Sequence, residues 1–349
     1  MTRPEPLEVR VGVLGLGRIG RMHANLLGTG IPGARLAAVA DADPDALEAV
    51  TDRFPVPGAD DPSRLLARSD IDAVAICTPT STHVDLIVAA AEAGKAILCE
   101  KPVSLDLEAT DQAVAAAERA GVILQVGFNR RFDPGHATVA GAVANGEIGA
   151  PELVRISSRD PTPPPIDYLA SSGGIFLDQT IHDLDMARFV TGSEVERLTA
   201  VGTVRVDPAI RDIGDYDTVA VTLQHANGCI TQIDNSRRAV YGYDQRVEVL
   251  GSAGMAFSDN QAVHGAVVRT DAGGRVAPLP WFFLERYMPS YRRQWEAFLS
   301  AYRGENTVAV GGEDARAALV LALAAAESVR TGHPVGIPAI PADETSSTA

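Results

Sequence analysis

Val9-Arg10-Val11-Gly12-Val13-Leu14-Gly15-Leu16-Gly17-Arg18-Ile19-Gly20 is the stretch on which the fold turns. The apolar run from Val9 to Leu14 reads as a strand, and Ile19 to Leu27 continues with helical periodicity. Between them lies the pattern G-x-G-x-x-G. Its glycines permit a tight turn, let the backbone approach a pyrophosphate, and pack helix on strand, with the helix N-terminus facing the phosphates. Gly15, Gly17 and Gly20 carry these duties, and Arg18 and Ile19 open the helix. A second strand, Leu36 to Ala40, ends at Asp41, about 20 residues past the last glycine, where a ribose-binding acid belongs. Its carboxylate would accept from the ribose hydroxyls and repel a 2′-phosphate, which favours NAD over NADP. The plainer alternative is a turn aspartate ahead of a helix from Asp43 to Arg53.

The alternation continues outward. A short helix, Pro62 to Ala67, precedes a buried strand, Ala73 to Cys77. Thr78-Pro79-Thr80-Ser81-Thr82-His83 comes next, then a helix from Val84 to Ala93. Open α/β sheets bind ligands at the carboxyl ends of their strands, so Thr78, Pro79 and His83 are cofactor-side candidates. Helix capping by Ser81 or Thr82 is compatible with that role. Ala96 to Cys99 is another strand, with Glu100-Lys101-Pro102 at its carboxyl end. Glu100 and Lys101 join the cofactor-side set. Asp106 to Ala120 reads as a helix with Asp106 as N-cap, and Ile123 to Val126 as a last strand. Continuous apolar strands alternating with helices imply a parallel sheet covered on both faces. Residues 9–127 are therefore expected to form one dinucleotide-binding Rossmann domain, preceded by a flexible 1–8.

Beyond residue 127 the pattern changes. Phe128-Asn129-Arg130-Arg131-Phe132 leads into a helix reaching Ala144, and Val154 to Ser158 looks like a strand. Prolines 161, 163, 164 and 165 stiffen the segment after that strand. Then come the β-rich runs Leu198–Val206, Thr218–Gln224, Cys229–Ser236, Arg246–Leu250, Met255–Ser258 and Ala262–Thr270. They suggest a large, open, mostly antiparallel sheet with one face under helices and the other available to a partner. Tyr287–Tyr302 and Glu313–Val329 read as closing helices. The fold class expected is α/β, an N-terminal Rossmann doubly wound parallel sheet plus a C-terminal α+β domain. That second domain, 128–339, would bind substrate and oligomerise, and 340–349 reads as a disordered tail.

Within it, Gly173-Gly174-Ile175-Phe176-Leu177-Asp178-Gln179-Thr180-Ile181-His182-Asp183-Leu184-Asp185 carries the chemistry. Two glycines precede what reads as a helix start, with Ile181, Leu184, Met186 and Phe189 on its apolar side. Asp178 and His182 are four apart and would share a helix face. A carboxylate beside an imidazole orients it and stabilises its protonated form, making a usable general base. An ordinary structural Asp–His pair is the bland alternative. A metal site is not expected, because Asp183 and Asp185 cannot share the His182 face. The remaining histidines suggest no partner: His225 and His264 fall at strand ends and His136 on a solvated helix.

Composition bounds the rest. The 349 residues suit two domains, 46% are apolar, and the net charge is −15. No basic face points to nucleic acid or an anionic membrane. The sparse cysteines, Cys77, Cys99 and Cys229, are no disulfide framework, and Met1 to Glu8 lacks a signal core, so a cytoplasmic protein is expected. Ala317 to Ala326 is too short to span a bilayer. Lysine occurs only at Lys95 and Lys101. A compact ammonium that can move protons suits a role arginine cannot fill, and Lys101 is the candidate, whereas Lys95 looks like a chance survivor in a turn.

Taken together these residues resemble the Gfo/Idh/MocA oxidoreductases, and within them the inositol 2-dehydrogenases, over nearly the whole chain. The resemblance rests on the glycine loop, on Glu100-Lys101-Pro102, and on Gly173-Gly174 through Asp178 with His182-Asp183. Ser158 to Pro165 and Gly127 to Asp133 are similar to segments of NAD-dependent myo-inositol dehydrogenases. The resemblance implies Lys101 as catalytic lysine, Asp178 and His182 as a carboxylate–imidazole pair, and Arg130, Asp160 and Tyr241 near substrate hydroxyls, with Tyr243 an equal alternative to Tyr241. It also implies a homotetramer built through the open sheet, and a part in inositol catabolism. The expected reaction is oxidation of a ring polyol, myo-inositol foremost, with NAD taking the hydride, His182 taking the proton and Lys101 donating to the oxyanion. Another inositol isomer or an aldose, a glycosidase that recycles its NAD, and a non-catalytic NAD sensor are the alternatives.

Overall fold

The computed structural model describes residues 8–338, so the expectations for residues 1–7 and for the tail from 340 lie outside the described residues. Contacts divide the chain into two units: the described parts of Met1–Pro134 with Tyr287–Leu319, and of Gly135–Arg286 with Val320–Ala349.

The first unit opens with β1 (Val9–Leu14), α1 (Arg18–Thr29), β2 (Ala34–Ala40), α2 (Pro44–Thr51), β3 (Gly58–Ala59) and α3 (Pro62–Leu66). It continues through β4 (Ala73–Ile76), α4 (His83–Glu92), β5 (Ala96–Cys99), α5 (Leu107–Ala120) and β6 (Leu124–Val126). The six strands form one parallel sheet in the order β3-β2-β1-β4-β5-β6. Their central residues are mostly apolar and buried, as in Val11, Val13, Val74, Ile76, Ile97 and Leu98. The winding reverses between β1 and β4, and ligands bind open sheets in the crevice at such a point. Aspartates start α2 and α5: Asp43 accepts from Asp45 N at 3.0 Å and Asp106 from Ala109 N at 2.9 Å. Lys95 is no chance survivor. Its buried ammonium donates to Arg68 O at 2.7 Å and Ile71 O at 2.9 Å, tying the chain ahead of β4 to the start of β5.

The second unit holds α6 (Pro134–Ala144), β7 (Pro151–Arg159), α7 (Ile166–Ser171), α8 (Ile181–Thr191), β8 (Val195–Thr203) and α9 (Pro208–Asp212). After these stand β9 (Thr218–His225), β10 (Ile230–Ser236), β11 (Asp244–Gly251), β12 (Gly254–Ser258), β13 (Val267–Thr270) and β14 (Gly273–Val276). Closing the chain are α10 (Phe283–Tyr302), α11 (Gly312–Thr331) and β15 (Val335–Gly336); residues from Tyr287 to Leu319 group with the first unit. The large sheet runs β12-β11-β7-β10-β9-β8-β15 and is antiparallel except for the parallel pair β7–β10. Register aligns Ala200, Val221, Ile233, Ile156 and Val247 as one buried row across it. α8 packs on β7 beneath that face. The opposite face leaves Val201, Ile230, Leu250, Met255 and Phe257 exposed.

Several expectations need correction. The predicted strand Ala262–Thr270 is shorter and stands apart, as β13 paired only with β14. β8 stops at Thr203 rather than Val206 because the amides of Arg205, Val206 and Asp207 turn to the buried Asp217 carboxylate, at 2.8, 2.7 and 3.2 Å. The short α9, capped by Asp207, is not expected from the sequence pattern. His136 is buried on α6, not solvated. His225 does end β9, but it has partners: its Nε2 lies 2.8 Å from Thr231 Oγ1, and burial pushes its pKa down. Among the described residues no helix is long and apolar enough to cross a membrane.

Candidate active site

In the first unit the sequence-predicted cofactor residues gather at the carboxyl ends of β1, β2, β4 and β5. Gly15 holds φ +86°, and a Cβ there would lie 2.6 Å from Thr78 N, so the turn and the end of β4 touch backbone to backbone. A Cβ on Gly20 would sit 1.7 Å from Gly15 O, which is the close helix–turn packing the motif requires. Gly17 caps α1 without a side-chain bond, no acidic residue stands in the first turn, and a Cβ on Gly17 would meet nothing within 4 Å. Backbone that can be approached at the positive end of a helix, here led by Arg18 and Ile19, suits a pyrophosphate. The Asp41 carboxylate accepts from Leu16 N and, at 2.9 Å, from Asp43 N. It is thereby lashed to the glycine loop, in place for ribose hydroxyls. These residues fit a dinucleotide.

Around the end of β4, Thr82 Oγ1 donates to Pro79 O at 2.9 Å and pairs with the Thr78 hydroxyl at 2.7 Å, so the hydroxyls brace the turn rather than cap α4. His83 is buried, with Nδ1 2.9 Å from Pro102 O and Nε2 2.9 Å from Thr78 O. Burial pushes its pKa down, against the pull of both carbonyls. It joins the Thr78 turn to the segment after β5, where Glu100 and Lys101 lie and the Lys101–Pro102 peptide is cis. Cys77 and Cys99 stand beside this segment. Burial, reinforced by the Glu100 charge, pushes both thiols well up, so neither offers a thiolate. Arg130 is buried in a single 3₁₀ turn, Asn129–Phe132, its guanidinium carbon 5.9 Å from the centre of the Tyr287 ring.

The second unit brings Asp160, Asp178 and His182 to the carboxyl ends of β7 and β10. The helix around Asp178 is not the regular one expected from the sequence: Phe176–Thr180 is π-helical and passes into α8 at Ile181. Widened turns of this kind are rare and frequent at functional sites. The four-residue spacing therefore does not set the Asp178–His182 geometry by α-helical stacking. Asp178 is placed by residues that local pattern does not reveal. Tyr168 donates to its Oδ1 at 2.8 Å, and Arg237 Nη1 donates to its Oδ2 at 3.1 Å. Arg237 has no exposed surface, and its Nη2 also lies 3.7 Å from Asp215 Oδ2. Asp215 Oδ1 in turn accepts from Ile175 N at 2.9 Å, and a Cβ on Gly174 would stand 2.8 Å from that same oxygen. Gly174 thus admits a carboxylate. Gln179 donates to Ser158 O at 3.0 Å, and Asn235 donates to Asp183 Oδ2 at 2.8 Å, seating the segment on the strand ends.

Asp160 comes directly after β7, its N–H donating to Ser236 O at 2.9 Å and its carbonyl accepting from Ala239 N at 2.6 Å. Tyr241, half exposed, donates to Asp244 Oδ2 at 2.6 Å and accepts from Arg159 Nη1 at 3.0 Å. Burial and the Asp244 carboxylate push its pKa up. Asp244 itself is pulled down, because Arg246, Tyr241 and Asn260 outweigh its burial. Tyr243 is buried. One further histidine carries no signal in the sequence: His23, wholly buried, pairs with Glu100 and Trp295.

Residues 9–128 match the model of the oxidoreductase family with an NAD-binding Rossmann fold, and residues 136–257 match the GFO/IDH/MocA C-terminal domain. An inositol 2-dehydrogenase of Rhizobium meliloti is 48% identical over 95% of this chain and 100% of its own. A myo-inositol 2-dehydrogenase of Thermotoga maritima is 47% identical over 92% of this chain and 96% of its own. The structure of a scyllo-inositol dehydrogenase from Lactobacillus casei, with bound NAD(H) and scyllo-inositol, superposes with a TM-score of 0.86 at 30% identity, covering 94% of this chain and 98% of that one. With both halves matched and relatives aligned nearly end to end, the chain belongs to the GFO/IDH/MocA oxidoreductase family, its N-terminal unit an NAD-binding Rossmann fold.

Proposed function

We propose that this chain is an NAD-dependent dehydrogenase of a ring polyol, oxidising myo-inositol at its 2-hydroxyl to the 2-keto inositol. The observation that carries the reading is the ion pair between the buried Arg237 and the part-buried Asp178, at the entry to the helix bearing His182. A charged carboxylate and guanidinium are costly to bury, and such pairs gather where chemistry needs them. The full-length likeness to two inositol dehydrogenases supports the substrate class.

NAD, when bound, supplies the hydride acceptor. An imidazole nitrogen of His182 takes the proton from the substrate hydroxyl, and Asp178 supports the imidazolium that results. The Lys101 ammonium donates to the substrate oxygen as negative charge grows on it and favours the carbonyl product. Asp41 selects the cofactor by accepting from its ribose hydroxyls. Arg130, Asp160 and Tyr241 approach the remaining hydroxyls of the ring. Inositol catabolism in the cytoplasm is the setting that suits this activity and the sparse cysteines. Subunits associate through the exposed sheet face bearing Val201, Ile230, Leu250, Met255 and Phe257, as a homotetramer.

The test is NADH formation by the purified protein against myo-, scyllo- and chiro-inositol and common aldoses, with NADP in parallel. Turnover of myo-inositol with NAD is expected. Preference for scyllo-inositol would transfer the assignment to that isomer, which the Lactobacillus casei structure makes the second reading. No turnover of any polyol overturns the proposal. Light scattering after size exclusion reads the assembly, and a monomer removes the tetramer.

A further inference from the structure

We infer that His23 is a positioning residue for Lys101, acting through the carboxylate of Glu100. The inference deepens the proposed reaction and rests on the role of Lys101 in it. His23 lies on α1, in the turn just past Gly20, and has no exposed surface. Trp295 Nε1 stands 3.0 Å from His23 Nδ1. An indole N–H can only donate, so Nδ1 accepts and the ring carries its proton on Nε2. That nitrogen faces Glu100 Oε1 at 2.9 Å. Tyr291 and Trp295 meet the imidazole edge-on, at 5.6 and 5.7 Å between ring centres, and set its plane. The tautomer and the direction of the N–H are thereby chosen before any ligand arrives.

The carboxylate at the other end is equally confined. A Cβ on Gly127 would lie 2.9 Å from Glu100 Oε2, so the bare backbone of Gly127 is what admits the group. The Glu100 N–H donates to Ile76 O at 2.9 Å and keeps the residue in register with β4. On the far side of Lys101, His83 Nδ1 reaches Pro102 O at 2.9 Å. Lys101 is bracketed: the side chain before it is held from α1, and the carbonyl after it from α4. Those two helices begin at the glycine loop and at the Thr78 turn, both of which the nucleotide approaches. A core-filling role for His23 requires only its volume. A positioning role requires a donor at Nε2.

Substitutions at His23 separate the two. His23→Gln keeps an amide N–H where Nε2–H was, whereas His23→Asn is too short to reach Glu100 and His23→Leu has no donor. In cofactor-free protein, hydrogen exchange at the Lys101 and Val103 amides is expected to quicken in His23→Leu and His23→Asn, and to stay near wild type in His23→Gln, with α5 unchanged. With NAD and inositol, kcat is expected to fall about 10- to 100-fold in the first two, as for a misplaced catalytic group, and to recover in His23→Gln. In a Lys101→Ala background the same substitutions are expected to cost nothing further, since interacting residues are non-additive. Unchanged exchange at residues 101 and 103, or an equal loss of kcat in both backgrounds, overturns the inference. If His23→Leu does not fold, the Asn and Gln variants decide. If Lys101→Ala itself keeps turnover, the reaction scheme fails at Lys101, while the exchange data still show whether His23 holds the segment.

Discussion

The candidate residues of the two units are held by different materials. At the carboxyl ends of β1, β2 and β4 the candidate groups are mainly backbone: Gly15 against Thr78 N, the open first turn of α1, and Asp41 bound to the Leu16 amide. At the ends of β7 and β10 they are side chains held by other side chains: Tyr168 and Arg237 on Asp178, Asp215 on Arg237, Asn235 on Asp183. A site made of backbone leaves a short local motif, because only certain residues permit its conformation. A site made of side-chain pairs leaves none, because its members meet only after strands far apart in sequence have aligned.

The sharpest way to break this contrast is to remove the proposed reacting groups. His182→Ala is expected to lower kcat by about 10² to 10⁴-fold, the usual worth of a general base. Lys101→Ala is expected to cost about 10² to 10³-fold, the worth of an oxyanion donor. NAD affinity, measured by fluorescence titration, should survive in both. Near-normal turnover in either variant removes its assigned role. Next in size is Arg237→Met. Deleting one partner of a fully buried ion pair costs about 3–5 kcal/mol; Asp178 is part-buried and keeps Tyr168, so a loss at the lower end, about 3 kcal/mol, is expected. Urea unfolding reads it, and a loss under about 1 kcal/mol would mean that the second unit is not held by this pair.

Legibility divides along the same line. The parallel sheet, its strand ends, Asp41 and the Asp106 cap can be read from the chain, since each needs a local residue type. The π-helical turn at Phe176–Thr180 cannot. Its residues look helical, and the widening accompanies the docking of Gln179 on Ser158 O, which no local pattern announces. Arg237 is hidden because it lies 59 positions from Asp178. His23 is hidden because an apolar helix face can hold an unremarked histidine, and its partner Trp295 is 272 positions away.

Two smaller effects sharpen the comparison. Gly20→Ala would force a Cβ onto Gly15 O and should cost about 1–3 kcal/mol as overpacking, together with NAD binding. Gly17→Ala meets open space, so melting should be unchanged while NAD binding weakens. If both glycines behave alike, the distinction between packing and approach is wrong. In the second unit, Asp217→Asn removes a charge that serves three amides and should cost about 1 kcal/mol at neutral pH. Burial alone would raise the Asp217 pKa, but the amides and Thr218 hold it below the usual carboxylate range. Its contribution is therefore complete above the unfolded value of about 3.9 and fades as pH falls through the lower native value. Wild type and Asp217→Asn should converge in stability below about pH 4. A constant gap down to the acid limit would assign the effect to something other than this charge.

The one parallel pair in the large sheet has a consequence for where the chain can be cut. β10 runs alongside β7 in the same direction, and β8 shares that direction through β9. A hairpin cannot join strands that run the same way, so the chain must leave the sheet after β7 and return across it. That return path is α7, the widened turn and α8, and it carries Asp178 and His182. A shortened or permuted version of the protein that deletes this bridge loses its topology along with its chemistry. The β13–β14 ribbon makes no ladder with the main sheet, and it is where an inserted domain or a deletion will be tolerated.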